Sequence, residues 1–419
     1  MKSDSSFKIL LTLIISLILI ITVLAISCSI YNPNLVEEVK KNGDLGRIGW
    51  IPIDSPKTPA KNITIQRINW IKYFENPEKY DIDLLIVGDS FSDVGNLPDY
   101  LATYNDMQVL AVRQHAINGN KTFTPFNLLI AMDNGGIIDK INPKIILLEQ
   151  VEREEYDRTN EINFNSNISM DEFETAIRKS ENKLSTINNP IMEMDKNTDS
   201  HEIIDDINMF QYFVPPSSQL RQNDPINEKI KKTINFSSES FNTVKYISLS
   251  QIWLILTGHS YNQISDFLKY STYKLKLSEP LFTSPKDNNT LYFLSDDLLY
   301  LNYIDDTIWI NHLNSHLNTL SNRFAKKNIS FYYLSAPDKF DFYFSCIEDN
   351  TYPKNPYYEQ MDGLCHSYHY INAKEILNKR LSDKERDIYW LGDTHWSWMS
   401  TEYLSSQISP INYSIHVSD

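Results

Sequence analysis

Leu84-Leu85-Ile86-Val87 is a short, uncharged aliphatic run that stops abruptly on Gly88-Asp89-Ser90. A run of that length and character fits a fully buried strand, and such a strand needs a covering layer on each face of its sheet. Gly88 lets the backbone turn sharply where the run ends. Comparable runs at residues 107–112, 145–148 and 330–334 predict further strands. Between them, residues 122–140 carry a helical pattern with Phe126, Leu129 and Ile130 on one side, and a second helix is expected through Ala325, with Asp305 or Asp306 as its N-cap. The strand–helix–strand rhythm predicts an α/β fold on a mostly parallel sheet with right-handed crossovers.

Ligands of open α/β sheets bind beyond the carboxyl ends of the strands, which places Ser90 well for a nucleophile. Its base is expected about 300 residues later, in Ile388-Tyr389-Trp390-Leu391-Gly392-Asp393-Thr394-His395-Trp396-Ser397. The grammar repeats: a strand-like apolar run, a glycine, then polar side chains. Only 11 glycines occur in 419 residues, and two of them directly precede the aspartates of these two stretches. An Asp two residues before a His can hold its Nδ1–H and leave Nε2 free to take a serine proton. Gly-Asp-Ser alone is a common turn and Asp-Thr-His alone a possible helix cap. Together they supply nucleophile, base and orienting acid, and the expected triad is Ser90, His395 and Asp393.

Gly88-Asp89-Ser90-Phe91 resembles the first block of the SGNH hydrolase superfamily, and Asp393-Thr394-His395-Trp396-Ser397 resembles the Asp-x-His-Trp block of its alginate O-acetyltransferase branch. Residues 147–154, Leu-Leu-Glu-Gln-Val-Glu-Arg-Glu, are similar to the strand ending in Glu-Arg of that branch, and Pro337-Asp338-Lys339 to its Pro-x-Lys. The order departs from that branch, since the serine block comes first here, as in ordinary SGNH enzymes. Trp398-Met399-Ser400-Thr401 stands where a glycine usually follows the His-Trp, and no Gly and Asn blocks for the usual oxyanion hole are found. The resemblance implies a three-layer α/β/α fold and an O-acetyltransferase that modifies a cell-surface or exported polysaccharide through an acyl-serine. It needs no cofactor or metal, and the acyl donor is supplied by a multispanning membrane acyltransferase. The same triad also serves a carbohydrate esterase, and a non-catalytic polysaccharide-binding subunit keeps the fold alone. Oxyanion or substrate contacts are expected from the Ser90 N–H, Arg153 and Lys339, with Trp396 either walling the site or anchoring its loop.

Residues 9–30 are almost wholly apolar, about the length that crosses a bilayer. Lys2 and Lys8 precede them and no Lys or Arg follows until Lys40, so an uncleaved anchor is expected, with residues 1–8 cytoplasmic and the remainder extracytoplasmic. Lipidation at Cys28 is the alternative to a plain anchor. Residues 31–80 read as a tether, 81–154 and 291–419 as two parts of the core, and 155–290 as an insertion or cap. A formal net charge of −15 excludes nucleic acid as a partner. Cys346 and Cys365, outside the cytoplasm, are candidates for one disulfide. His366 and His369 lack the acidic or second-cysteine pattern of a metal site. The aromatic residues between 340 and 380 are expected mainly to pack, with a glycan-binding edge as the alternative.

Overall fold

The computed structural model describes residues 43–45, 53, 60–117, 123–188 and 272–408. The expected anchor over residues 9–30, with Cys28, lies outside them, as do residues 189–271 of the expected insertion. No helix among the described residues is long and apolar enough to cross a membrane.

The fold is α/β on a five-stranded parallel sheet. Its strands are β1 (Leu84–Gly88), β2 (Val109–Arg113), β3 (Ile145–Val151), β6 (Ser330–Ala336) and β7 (His369–Asn372), in the order β2-β1-β3-β6-β7. A separate antiparallel hairpin pairs β4 (Thr272–Lys276) with β5 (Thr290–Leu294). All five residues of β1 and all seven of β3 are buried. Leu84 and Ile86 face one apolar cluster with Leu97, Leu101, Leu377 and Leu404 of the helices Leu97–Asn105, Ala373–Ser382 and Trp398–Gln407. Leu85 and Val87 face the other, with Phe126, Leu129, Leu313 and Leu317 of Pro125–Asn134 and Ile308–Ala325. Each such aliphatic side chain contributes about 1.5–3 kcal/mol by leaving water, which is why a strand without one polar side chain can only sit between two helical layers.

Chain order reverses direction at β1: the chain crosses to β2 on one side and returns to β3 on the other. The crevice at such a switch point opens at the carboxyl ends of β1 and β3, and Ser90 follows β1 directly.

Several expected elements differ in detail. β3 continues past Leu148 through buried Glu149 and Gln150, which hydrophobicity alone cannot extend. The helix expected over 122–140 is two, Pro125–Asn134 and Ile137–Ile141, divided at Gly135-Gly136. The later helix starts at Ile308, and the Asp306 carboxylate takes the Ile308 N–H at 3.0 Å. Residues 388–391 form no strand but a tight loop closed by a single antiparallel bridge, Tyr389 to Trp396. Within the expected tether, Asp44, Leu45, Ile53, Trp70 and Tyr73 are buried. Within the expected cap, Leu277, Leu281 and Phe282 belong to the same apolar cluster as Leu84.

The expected Cys346–Cys365 bridge is not formed, and both are free thiols. They belong to different neighbourhoods: the Cys346 carbonyl accepts from Ser278 N at 2.8 Å, and the Cys365 carbonyl from the Asn314 side chain at 3.2 Å. Phe340, Phe342, Tyr343, Tyr357, Tyr358 and Tyr368 are all buried, so this aromatic stretch packs the core. His369 stacks on Tyr332 and His366 packs on Tyr368.

Candidate active site

Ser90 opens the five-residue helix Ser90–Val94 at the end of β1, and a lattice of buried charge fixes it there. The Asp89 carboxylate caps the helix through Phe91 N at 3.0 Å, accepts Val151 N from β3 at 3.0 Å, and pairs with Arg158 at 2.7 Å. Burial opposes the charge on Asp89, but Arg158 and the two N–H donors win and hold its carboxyl below the usual range. From β3, Glu149 Oε2 takes the N–H groups of Asp89 at 3.0 Å and Ser92 at 3.2 Å. Burial, then the neighbouring Asp89 charge, pushes the Glu149 carboxyl well up. Gly88 is dictated by this approach: a Cβ there would stand 2.6 Å from Glu149 Oε2 and 2.8 Å from Ser92 Oγ.

The second half of the site is the loop of residues 388–397. Asp393 Oδ1 lies 2.6 Å from His395 Nδ1 and also accepts the His395 backbone N–H at 3.1 Å. A carboxylate only accepts, so Nδ1 carries the imidazole proton and Nε2 is left to accept. Ser90 Oγ stands 2.8 Å from that Nε2. Asp393 and His395 are buried while Ser90 is half-buried, so the chain of three runs from the interior to a reachable hydroxyl. This arrangement can draw the proton off Ser90 as its oxygen attacks an acyl carbon, with Asp393 steadying the imidazolium that forms.

The loop is clamped on both flanks. Trp396 is fully buried, donates from Nε1 to the Phe91 carbonyl at 2.9 Å and packs edge-on against the Phe91 ring, while Trp398 Nε1 donates to the Val94 carbonyl at 2.9 Å. Of the two roles open to Trp396, anchoring the loop is the one it has. On the other flank, Lys339 Nζ donates to the carbonyls of Trp390, Leu391 and Asp393 at 2.6, 2.8 and 2.9 Å. Lys339 is fully buried, and burial pulls its ammonium down to about 7 against the pull of the Asp393 and Asp44 carboxylates. The expectation that Lys339 meets substrate is therefore corrected: it is a clasp beneath the loop.

Arg153 is corrected in the same sense. Its guanidinium bonds Asp338 at 3.2 Å and Asp297 at 3.4 Å, lies over the Phe91 ring at 5.5 Å, and only 6% of the side chain is exposed. It braces the Phe91 side of the nucleophile helix instead of offering an oxyanion donor. The Ser90 N–H stands at the first position of its helix, where an intrahelical acceptor is not available, which keeps it as the expected donor.

Asp44, Glu149 and Arg158 were not found from sequence. Asp44 takes both the N–H and the hydroxyl of Thr394, at 2.8 and 2.5 Å, from a position 350 residues away. Asp44, Asp393 and His395 bring three ligand-type atoms within 4.8 Å of one another, but both carboxylates are committed to the loop, Asp393 to His395 and Asp44 to Thr394.

Sheet and site together define a Ser-His-Asp arrangement at the switch point of a parallel α/β sheet. No protein-family model, curated protein or solved structure matches the chain.

Proposed function

We propose that this chain is an SGNH-like O-acetyltransferase, anchored by residues 9–30 with its α/β domain extracytoplasmic, that acetylates a cell-surface or exported polysaccharide. What supports the reading above all is the hydrogen-bonded chain Ser90 Oγ, His395 Nε2, His395 Nδ1, Asp393 Oδ1, standing where ligands bind in such sheets. In the proposed reaction Ser90 Oγ attacks the acetyl carbonyl, His395 takes the hydroxyl proton, and the donor's leaving oxygen receives it. A sugar hydroxyl then attacks the acyl-serine, with His395 as base again, releasing the acetylated sugar and restoring Ser90. The polysaccharide, the acetyl group and the multispanning acyltransferase that hands it across the membrane come from the family resemblance of the four motifs.

The test is a burst assay on the detergent-solubilised full chain with a chromogenic acetyl ester, beside Ser90→Ala, with and without an oligosaccharide acceptor. The expected result is a burst that the substitution abolishes, with slow hydrolysis accelerated by acceptor and acetylated sugar as product. Fast hydrolysis indifferent to acceptor makes the chain an esterase with the same triad. A folded chain with no burst from any acyl ester overturns the catalytic reading in favour of a polysaccharide-binding subunit.

A further inference from the structure

We propose that Asp44 is a positioning residue of the base loop, a second carboxylate that holds Thr394 and His395 in register with Ser90, so that the segment preceding the α/β domain completes its site. The inference rests on the acyl-transfer reading above. Asp44 Oδ1 accepts the Thr394 N–H at 2.8 Å, and Oδ2 accepts the Thr394 hydroxyl at 2.5 Å. Oδ2 also stands 3.8 Å from His395 Nδ1, and Thr394 Oγ1 stands 3.3 Å from the same nitrogen. The imidazole edge opposite Ser90 thus meets two carboxylates, Asp393 directly and Asp44 across Thr394.

The segment has further contacts besides the grip on Thr394, and Asp44 Oδ1 also takes the N–H of the following Leu45 at 2.7 Å. Leu45 is fully buried in the core, its N–H donates to the Gly392 carbonyl at 3.0 Å, and its carbonyl accepts from the Thr272 hydroxyl at 2.8 Å. Gly43 passes so close that a Cβ there would lie 2.4 Å from the Gly392 oxygen and 2.9 Å from Asp393 Cβ. The Leu45 side chain and carbonyl and the close approach of Gly43 dock the segment through groups other than the carboxylate, whose burial carries a desolvation cost of its own. Both Asp44 oxygens reach the one residue between the acid and the base. An Asp393–His395 pair set on a loop can tilt as a unit away from Ser90, and gripping Thr394 by N–H and hydroxyl prevents that tilt. Misplacing reacting groups by a fraction of an ångström to 1 Å costs up to about 100-fold in rate.

The experiment uses the full chain in detergent and reads two things: the rate at which a fluorophosphonate labels Ser90, and the Nδ1–H resonance of His395 in protein carrying ¹⁵N-histidine. Asp44→Asn is expected to slow labelling on the order of 10-fold or more and to move the His395 resonance. Thr394→Val keeps the Asp44 charge and removes one arm of the grip, so it is expected to slow labelling by less, with Thr394→Ser recovering most of the loss. Because Asp44 acts through Thr394, the double variant D44N/T394V should label no more slowly than D44N alone. Multiplicative losses in the double variant, or labelling of D44N at the wild-type rate, overturn the proposal, and so does an unmoved resonance. If D44N does not fold, the contrast between Thr394→Val and Thr394→Ser decides alone, equal rates overturning the assignment. If the wild-type chain itself is not labelled, the acyl-transfer reading falls, and the resonance by itself then supports or overturns the grip of Asp44 on the base loop.

Discussion

Asp393 and Lys339 act on one short loop, the first through its side chain on His395 and the second through backbone carbonyls beneath it. Asp393→Asn is expected to keep the fold but present an amide to Nδ1, favouring the tautomer that cannot take the serine proton. Acylation of Ser90 should fall by about 10³–10⁴-fold, measured as the burst rate, with an unchanged circular dichroism spectrum as control. Lys339→Met should act differently, leaving three buried carbonyls without their donor. Each costs about 1–3 kcal/mol, so a stability loss on the order of 3 kcal/mol or more is expected by urea unfolding. Turnover of the folded fraction should fall as well, because the loop that carries His395 is released. Ser90, Asp393 and His395 were legible in sequence because each polar cluster follows an apolar run and a glycine. Lys339 and Arg153 were legible as residues but not in their roles, since a Lys after a strand reads the same whether it turns to the cleft or under a loop. Burial and three carbonyl partners settle it for Lys339.

The elements that carry these residues meet through polar groups that no periodicity announces. The β1, β3 and β6 strands were readable from their aliphatic stretches, and so were the covering helices Pro125–Asn134 and Ile308–Ala325, whereas Leu97–Asn105, Ala373–Ser382 and Trp398–Gln407 were not. The last three residues of β3 were readable only through the family resemblance of residues 147–154, because the aliphatic run itself ends at Leu148. They stay in the strand because Glu149 satisfies two N–H groups at the turn into the Ser90 helix. The protein spends a buried carboxyl there to tie the end of β1 to β3. Burial, then the Asp89 charge, pushes that carboxyl well up, which favours its neutral form, and Gln is close to that form in shape and charge. Glu149→Gln is therefore expected to cost less than about 1 kcal/mol at pH 7, whereas Glu149→Ala strands two buried N–H donors and should cost about 2–5 kcal/mol. Urea titrations of the two variants test this. A Gln variant as damaged as the Ala variant would mean that Glu149 works as an anion.

At the scale of the whole molecule, the count of charged residues misstates the charge of the fold. The formal value of −15 takes every carboxyl as ionised. Behind the site, Glu149, Glu152, Asp338 and Asp341 are buried and their carboxyls are raised, Asp297 is pushed up to about 6 and Glu155 to about 8, burial being the first cause in each case. Asp89 and Asp93 go the other way, held down by their arginines against burial. Glu155 gives the cleanest test, since its carboxyl meets the Tyr333 hydroxyl and lies 3.3 Å from Gln150 Nε2 inside the fold. Its ordinary value is 4.5 and its folded value about 8, so folding takes up a proton between those limits. Its contribution to stability is fully present below pH 4.5 and is lost as the pH rises through 8. At about 1.4 kcal/mol per pKa unit, that loss is on the order of a few kcal/mol. Glu155→Gln mimics the protonated side chain and cannot titrate. The difference in unfolding free energy, variant minus wild type, should therefore climb steadily between pH 5 and pH 8.5 in urea titrations of the full chain in detergent. A difference that stays flat over that range would mean that Glu155 is ionised in the folded protein, and with it the buried charge behind Ser90 would have to be redrawn.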